Sequence, residues 1–495
     1  ERVDSDRSAT VVRSPGRLNL MGRHIDHQGG TCNLMAIDRE IVMVAVPRED
    51  DRVNLWNVDG DSYPHRSFTF GELTADIVWE NWLETLDSQF IRRIAKRNPG
   101  GWSNYIKGAA LRLQHRFSGR KLHGMDACIC GNIPVGAGLS SSSALVVAAA
   151  EALCELNALN VQPKEFVDLC GEGEWFVGTR GGSGDHAAIK FGEEQEVVSI
   201  RFFPFEVLGR HPFPADRRVM ICHCGLSAKK TENARSRFNS RVACYHMGRE
   251  IVKEQYPRLA PRIQHLRDLD PGLMGISLPA LYRLLRTLPE DLNWEEAQRL
   301  GTSSDRVAKC LEGVEPGEDD FPVRNVVLFG LAECDRSRMA GRLLDEEDLE
   351  RFGELMRISH DGDRVSRGND NRKDWHSTAT DDRLLALESD AGRPEPLEAL
   401  GAALWQQPGG YGCSTPQIDR MVDIVLDCKG VSGAQLAGAG LGGCIMVVLE
   451  REAEERVKTA LVDHYYEPEE IEPRLFVCEP SRGSRVLTTL ERPDQ

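Results

Sequence analysis

The sequence contains no apolar run long enough to cross a lipid bilayer, and its first residues, 1–15, are charged and include no hydrophobic signal region. These absences predict a cytoplasmic protein with no membrane partner. The chain also lacks the basic excess that general nucleic-acid binding requires, because its formal net charge is -16. A small anionic substrate remains compatible with this charge, since one local cluster of cations is enough to bind it.

Cysteine is present at 14 positions, but the pattern that would indicate a metal site or a disulfide scaffold is missing. No CxxC pair repeats, and many of the cysteines lie in apolar runs. Cys222 and Cys224 flank His223, but a strand would direct these side chains to alternating faces, which is a poor arrangement for metal ligands. We therefore expect reduced thiols, as in cytoplasmic proteins.

The length of 495 residues is too great for one ordinary core and predicts two domains, over residues 1–215 and 216–495. The first half alternates strand-like and helix-like stretches, whereas the second is mainly helical until a glycine turn leads into a buried strand. Residues 366–397 are polar and poorly periodic, so they predict an exposed insertion.

One short stretch, GNIPVGAGLSSSSA at residues 131–144, places three glycines and four serines directly before a strong helix former. The first N–H groups of a helix are unpaired, and glycines let the backbone approach a ligand, so this junction suits an anion such as a phosphate. The simpler alternative is that Ser140 only caps the helix. The stretch is not a lysine-bearing P-loop, because no GK[ST] sequence follows.

Three further stretches carry glycines beside polar or charged residues. They are residues 14–30 (SPGRLNLMGRHIDHQGG), 178–188 (GTRGGSGDHAA) and 438–443 (GAGLGG). The first clusters charged groups in a turn, as a polar ligand such as a sugar would require, although solvated loops also carry charges. The second presents Asp185, either as a first-turn helix carboxylate or as a general base. The third alone predicts only a tight turn.

Together the four stretches resemble the galactokinase branch of the GHMP small-molecule kinases, and the resemblance covers nearly the whole chain. Residues 14–30 are similar to the family's sugar-binding motif, residues 131–144 to its ATP-phosphate motif, and the segment around residues 438–443 to its third, glycine-rich motif. The resemblance implies an α+β fold of two domains with the active site in the cleft between them. It also implies phosphorylation of a sugar by ATP with Mg²⁺, usually at the anomeric hydroxyl.

The resemblance further implies roles for individual residues. Asp185 accepts or orients the proton of the sugar hydroxyl, and Arg17 stabilises charge near the transferring phosphoryl group, which suits a reaction that depends on positioning and electrostatics. Ser142 is expected to hold Mg²⁺ with Glu174, although Glu172 is an alternative. The residues expected at the nucleotide are Gly136, Gly138, Ser140, Ser141 and Ser142 for the phosphates, Gly440 in the third motif, and Trp102 and Asn104 near the adenine.

The expected sugar-binding residues are Arg23, His24, Asp26, Gly182 and Phe238. Galactokinases usually carry Glu at the position of Arg23, and that Glu accepts a hydrogen bond from the sugar's terminal hydroxyl. An arginine only donates, so Arg23 would suit a carboxylate at that carbon. Phe238 stands where the family tends to have Tyr, and Arg237 adds a cation beside it. His24 and Asp26 are expected to hold ring hydroxyls in either case.

The preferred interpretation is therefore a kinase for galacturonate or another acidic galactose-like sugar. If Arg23 instead pairs with an acid such as Asp26, a neutral sugar such as galactose or arabinose becomes the substrate. A third possibility is a sugar- and ATP-binding regulator without turnover. The presence of Arg17, Asp185 and the full serine run favours an enzyme. The sugar is the only partner expected, and both a monomer and a dimer are compatible with the sequence.

Overall fold

The computed structural model describes residues 8–77, 79, 81–96, 101–178, 182–226, 232–312, 314–315, 321–367, 370–371 and 379–490. The strands in these ranges are β1 (Ala9–Met21), β2 (Thr31–Pro47), β3 (Arg52–Asn57), β4 (Arg66–Thr69), β5 (Met125–Gly131), β6 (Glu196–Arg201), β7 (Glu206–Pro212), β8 (Arg217–His223), β9 (Ser366–Arg367), β10 (Asp370–Asn371), β11 (Val431–Ala437), β12 (Cys444–Glu450), β13 (Leu475–Cys478) and β14 (Arg485–Leu490).

The α-helices of the same ranges are α1 (Phe70–Thr74), α2 (Trp82–Asp87), α3 (Gln89–Lys96), α4 (Ser103–Arg116), α5 (Ser141–Leu156), α6 (Pro163–Glu174), α7 (Gly184–Phe191), α8 (Glu232–Gln255), α9 (Pro271–Met274), α10 (Leu278–Arg286), α11 (Trp294–Ser303), α12 (Asp305–Leu311), α13 (Val323–Asp345), α14 (Leu349–Asp363), α15 (Asp381–Ala391), α16 (Pro416–Leu426) and α17 (Glu454–Leu461). Short 3-10 turns, among them Asp26–Gln28 and Leu266–Leu269, connect some of these elements.

The first sheet has the strand order β14-β1-β2-β5-β3-β4, and β6 and β7 extend it beside the first part of β2. The long strand β2 pairs with β6 at its start and with β5 at its end. Met43 and Ala45 are buried, whereas Val44 between them is 38% exposed, so one face of this strand packs and the other meets solvent. Helices α5 and α7 contact the sheet and place their N-termini at the site.

The second sheet has the order β11-β12-β8-β13 and continuously apolar central strands. Helix α16 contacts β11 and β12, and α14 contacts β11. Alongside this sheet, α8, α10, α13 and α15 contribute to a separate helical core. Among the described residues, no helix is long and apolar enough to cross a membrane. All 14 cysteines lie within those residues, and each is free.

The predicted boundary at residues 215 and 216 falls between β7 and β8, but it does not divide the chain cleanly. Strand β14 returns from the end of the described chain and pairs antiparallel with β1. The first domain therefore contains β14 as well as the strands before residue 215. This correction follows from backbone pairing, which the composition of the C-terminal stretch does not reveal.

The predicted exposed insertion, residues 366–397, is partly buried. Helix α15 lies within it and packs against α10, with Leu384 and Leu387 in the helical core. Thr380 caps α15 by accepting a hydrogen bond from the N–H of Arg383. The part of this prediction that concerns residues 368–369 and 372–378 lies outside the described residues. The rest is better described as a packed helix with polar flanks.

Candidate active site

The glycine- and serine-rich loop between β5 and α5 leaves the helix N-terminus free of a side-chain cap. Gly136 and Gly138 have φ angles of 77° and 74°, a region that favours glycine. Ser140 stands at the N-cap position with φ 58°, but its side chain caps nothing. Its hydroxyl donates instead to Oδ2 of Asp185. The capping alternative therefore does not describe Ser140, and the first N–H groups of α5 have no side-chain acceptor there.

Arg17 and Asp185 form a bidentate ion pair beside this loop. Nε and Nη2 of Arg17 donate to the two carboxylate oxygens of Asp185, each at 2.6 Å. Nη1 of Arg17 donates to the carbonyl oxygen of Gly138 at 2.7 Å. Gly16 permits this approach, because a Cβ there would lie 2.9 Å from the carbonyl oxygen of Leu139. The two residues predicted as catalytic thus meet at the anion loop.

The carboxylate of Asp185 is held in its ionised form. Burial alone would raise the pKa of Asp185, but the charge and hydrogen bonds of Arg17 and the hydroxyl of Ser140 outweigh it, so this pKa is lowered. The Asp185 side chain is still 37% exposed. A ligand can therefore reach a carboxylate that stays charged at neutral pH.

The polar turn after β1 depends on a buried carboxylate from the second domain. Gly22 has φ 96°, and the N–H groups of Gly22 and Arg23 donate to Oε1 of Glu333 at 3.0 and 3.1 Å. Nε of Arg336 donates to the other oxygen of Glu333 at 2.8 Å, and both side chains are fully buried. Sequence reasoning missed Glu333, because one Glu in a long helix is indistinguishable from a surface charge.

Arg23 does not lie open to a ligand, contrary to the prediction that it reads a sugar carboxylate. It is 2% exposed, and its Nη1 lies 3.1 Å from Oδ2 of Asp363. Its Nη2 donates to Oγ of Ser359 at 2.9 Å. The pairing alternative is the one observed, with Asp363 rather than Asp26 as the acid. Asp363 ends α14, so no local sequence signal links it to Arg23.

His24 is buried beside the pair formed by Arg23 and Asp363. Its ring stacks on Tyr411 with centroids 4.1 Å apart, and its Nε2 lies 3.4 Å from Oδ2 of Asp363. Burial would raise the pKa of Asp363, but the charges of His24 and Arg23 lower it to about 2. Arg23, His24 and Asp363 therefore form a buried polar layer beneath the more exposed Asp26 of the turn.

Asp26 is the accessible acid of this turn. It begins the Asp26–Gln28 turn, its side chain is 24% exposed, and its Oδ1 lies 3.1 Å from Nδ1 of His27. Burial would raise its pKa, but the hydrogen bond and charge of His27 lower it. A Cβ on Gly182 would lie 2.2 Å from Oδ2 of Asp26, so a larger residue there would displace this carboxylate. The loop before α7 thus brings Asp26 toward the segment that carries Asp185.

A clamp from the helical part holds the end of the turn. Gly29 has φ 79°, and its carbonyl oxygen accepts a hydrogen bond from Nη1 of Arg267 at 2.7 Å. The same guanidinium donates to the carbonyl oxygens of Phe202 and Phe203. The ring of His265 stacks on Phe203 with centroids 4.7 Å apart. Sequence reasoning missed Arg267, which lies in a 3-10 turn with no motif around it.

The two predicted glycine motifs touch each other across the domains. A Cβ on Gly438 would lie 3.2 Å from Cα of Gly138, and one on Gly138 would lie 2.8 Å from the carbonyl oxygen of Ala437. Gly440 has φ 83°, and a Cβ there would lie 2.0 Å from the carbonyl oxygen of Cys413. The third motif therefore closes over the anion loop. Phosphate contacts of Gly440 remain a prediction.

Of the two glutamates considered for Mg²⁺, Glu174 lies at the serine run. Oγ of Ser143 donates to its Oε2 at 2.7 Å, and Nε2 of His186 lies 2.9 Å from the same oxygen. Burial would raise the pKa of Glu174, but His186 and Ser143 lower it. Glu172 instead accepts a hydrogen bond from Arg112 at 2.6 Å. Ser142 is half-buried at the same helix end.

The remaining predicted residues lie on α8 and at the starts of α4 and α5. Phe238 on α8 has its ring centroid 6.4 Å from that of His24. Trp102 precedes α4 and meets Tyr63 edge-on at 6.4 Å, and Asn104 in the first turn of α4 is buried. Contacts of Trp102 and Asn104 with adenine, and of Ser141 with phosphate, stay predictions.

Comparisons with known proteins agree with this arrangement. Residues 1–47 match the galactokinase galactose-binding signature, residues 104–193 the GHMP kinases N terminal domain, and residues 384–467 the GHMP kinases C terminal domain. The galactokinase of Roseiflexus sp. (strain RS-1) is 26% identical over 488 residues, which cover 98% of this chain and 95% of that protein.

The crystal structure of Lactococcus lactis galactokinase complexed with galactose superposes with a TM-score of 0.65 at 22% identity, covering 97% of this chain and 95% of that one. This likeness confirms the predicted two-domain α+β fold. The three family matches follow the order of the sequence motifs. The chain therefore carries the N-terminal and C-terminal GHMP kinase domains together with a galactokinase galactose-binding signature, and these matches indicate that it is a sugar kinase.

Proposed function

We propose that this protein transfers the γ-phosphoryl group of ATP to the anomeric hydroxyl of a galactose-like monosaccharide. The observation that carries the proposal is the pairing of Arg17 with Asp185, joined by the hydroxyl of Ser140, where the galactose-binding signature meets the anion loop. This arrangement brings an ionised acceptor and a cation to the place where helix α5 offers unpaired N–H groups.

Asp185 orients the attacking hydroxyl by accepting its hydrogen bond. Its lowered pKa makes it a weak base, but phosphoryl transfer through a loose transition state requires positioning more than strong proton abstraction. Arg17 holds Asp185 in place with two hydrogen bonds and supplies positive charge beside the anion loop. As the hydroxyl oxygen forms its bond to the γ-phosphorus, the bond from that phosphorus to the bridging oxygen of ADP breaks, ADP leaves, and the proton of the hydroxyl passes to Asp185.

The α5 N-terminus and the glycine loops would bind the phosphates of ATP. The donor set for Mg²⁺ is the hydroxyl of Ser142 with the carboxylate of Glu174, and such hard oxygen ligands fit this ion together with substrate phosphates. When bound, Mg²⁺ neutralises phosphate charge. The lowered pKa of Glu174 supports a role that needs an anion.

Asp26 would hold ring hydroxyls of the sugar, because it is the exposed acid of the signature turn. Galacturonate, galactose and arabinose remain the candidate substrates. Arg23 gives no support to galacturonate, since Asp363 already neutralises the charge of the Arg23 guanidinium. The cytoplasm is the compartment we propose, which 14 free cysteines support.

A coupled ADP-release assay tests the proposal. The protein with Mg·ATP is mixed with galacturonate, glucuronate, galactose or arabinose, and with no sugar as the blank. We expect sugar-dependent ADP release for at least one member of the panel and none for Asp185→Asn. If no sugar in the panel caused ADP release while calorimetry still showed ATP binding, the proposed activity would be contradicted. That result would favour a sugar- and ATP-binding regulator without turnover.

A further inference from the structure

One face of helix α8 borders the sugar turn. Arg237, Phe238 and Arg241 share this face, since residues three and four apart are neighbours on a helix. The ring centroid of Phe238 lies 6.4 Å from that of His24, so the face reaches the layer beneath the signature turn. We call these three residues the α8 wall.

The α8 wall continues to the third glycine motif. Nε of Arg241 donates to the carbonyl oxygen of Tyr411 at 2.7 Å, and Tyr411 stacks on His24. Two residues on, the carbonyl oxygen of Cys413 accepts a hydrogen bond from the N–H of Leu441 at 2.7 Å. The wall therefore lies between the sugar turn and the loop that covers the phosphate site.

Among the described residues, the arginines of the α8 wall differ from Arg17 and Arg23 in having no acid partner. Asp185 neutralises Arg17, and Asp363 neutralises Arg23. Within the ranges that the structure describes, no carboxylate oxygen lies within 4.0 Å of the guanidinium nitrogens of Arg237 or Arg241.

Arg237 also has a buried donor without an acceptor. Its Nε is buried and makes no hydrogen bond, although the residue as a whole is only half-buried. A buried donor of a charged group that stays unpaired is costly, and such donors are normally satisfied by a partner or a ligand. Nη1 of Arg241 donates to the hydroxyl of Ser240, which is uncharged.

The field of these cations reaches the adjoining loop. Burial and the charge of Asp363 raise the pKa of Cys413 to about 12, while the charges of Arg241, Arg237 and Arg23 act in the opposite direction. Three guanidinium groups and one carboxylate thus surround this point.

We propose that Arg237, with Arg241 behind it, forms an oxyanion subsite between the sugar turn and the third glycine motif. The inference rests on the proposed function, which supplies two such anions: a carboxylate on an acidic sugar and the transferring phosphoryl group of ATP. Both offer oxygens that a guanidinium binds in a bidentate manner. The sugar carboxylate would make Arg237, and not Arg23, the residue that selects a uronic acid.

Arg237→Met tests the subsite, because it keeps the apolar stem and removes the charge. The matched control is Arg258→Met, an exposed arginine just after α8. A loss of about tenfold or more in kcat/KM with galacturonate, but not with galactose, would assign the subsite to the sugar carboxylate. A similar loss in kcat with every accepted sugar would assign it to the phosphoryl group. Unchanged constants with all substrates would overturn it.

Binding measurements test the subsite even if the proposed activity is not found. If the wild type releases no ADP with any sugar, calorimetry with galacturonate and with ATP replaces kinetics. Weaker binding of either ligand by Arg237→Met than by the wild type and Arg258→Met would support the subsite. Equal affinities of all three proteins for both ligands would overturn it, whatever the activity.

Discussion

Nη1 of Arg23 lies 3.1 Å from Oδ2 of Asp363, and the two side chains are 2% and 0% exposed. This buried pair joins the sugar turn of the first domain to the end of α14. Removing one partner of a buried pair leaves an uncompensated charge and costs roughly 3–5 kcal/mol. We expect Arg23→Met to lower the free energy of urea unfolding by about 3 kcal/mol.

The double variant Arg23→Met with Asp363→Leu is the control for that measurement. It removes both charges, so we expect it to be more stable than Arg23→Met alone. The ranking of sugars by residual activity should not change in either variant. A stable Arg23→Met protein whose ranking reverses between acidic and neutral sugars would mean that Arg23 reaches the substrate.

Asp185→Asn preserves the shape of the side chain and removes its charge. We expect kcat to fall by about 10²–10⁴, because the hydroxyl loses its ionised acceptor. ATP affinity, measured by calorimetry, should stay within about twofold, since the Asp185 carboxylate accepts hydrogen bonds from the side chains of Arg17 and Ser140 rather than from the N–H groups of α5. Loss of ATP binding together with turnover would assign Asp185 to the nucleotide or the metal instead.

Ser140→Ala distinguishes a catalytic hydroxyl from a helix cap. Its hydroxyl donates to Asp185 and makes no cap bond, so the free energy of unfolding should change by less than about 0.5 kcal/mol while kcat falls by about tenfold. Ser277→Ala is the matched control, because Ser277 caps α10 by accepting from the N–H of Ala280. We expect it to cost about 1 kcal/mol with unchanged kinetics. The reverse pattern would restore the capping interpretation.

Arg267→Met should act on the sugar site alone. Its guanidinium holds the carbonyl oxygen of Gly29, so its loss would loosen the turn that begins with Asp26. We expect the KM for the sugar to rise by about tenfold, with the KM for ATP unchanged and partial rescue in Arg267→Lys. Arg262→Met is the control, since Arg262 donates only to Leu273 on the surface. Equal rises in both KM values would indicate a general structural role.

The features of the site that the sequence predicted are those encoded in short, continuous motifs. Glycines and serines before α5 indicate a helix N-terminus open to an anion, and that N-terminus is left without a side-chain cap. The order of the motifs predicted the two-domain fold. Arg17 and Asp185 were assigned from motif resemblance, and the structure places them in contact.

The parts that sequence reasoning did not predict depend on contacts between distant segments. The identity of the acid beside Arg23 is one example, because Asp363 lies in a helix of the other domain. The side-chain direction of Ser140 is another, because capping and bonding to Asp185 suit the same residue. Helix α15 had a usable signal in Thr380 followed by Leu384 and Leu387, which the polar composition around it obscured.

The pairing of β14 with β1 has a consequence for how the enzyme is made. On the ribosome, β1 emerges before the other described strands, and its neighbour on that side, β14, emerges only after them. Until then, β1 presents an unpaired edge, which is a site for wrong pairing with other chains. The strand that carries Arg17 therefore gains its last neighbour late in translation, so a ribosome stalled before residue 485 would expose an incomplete sheet.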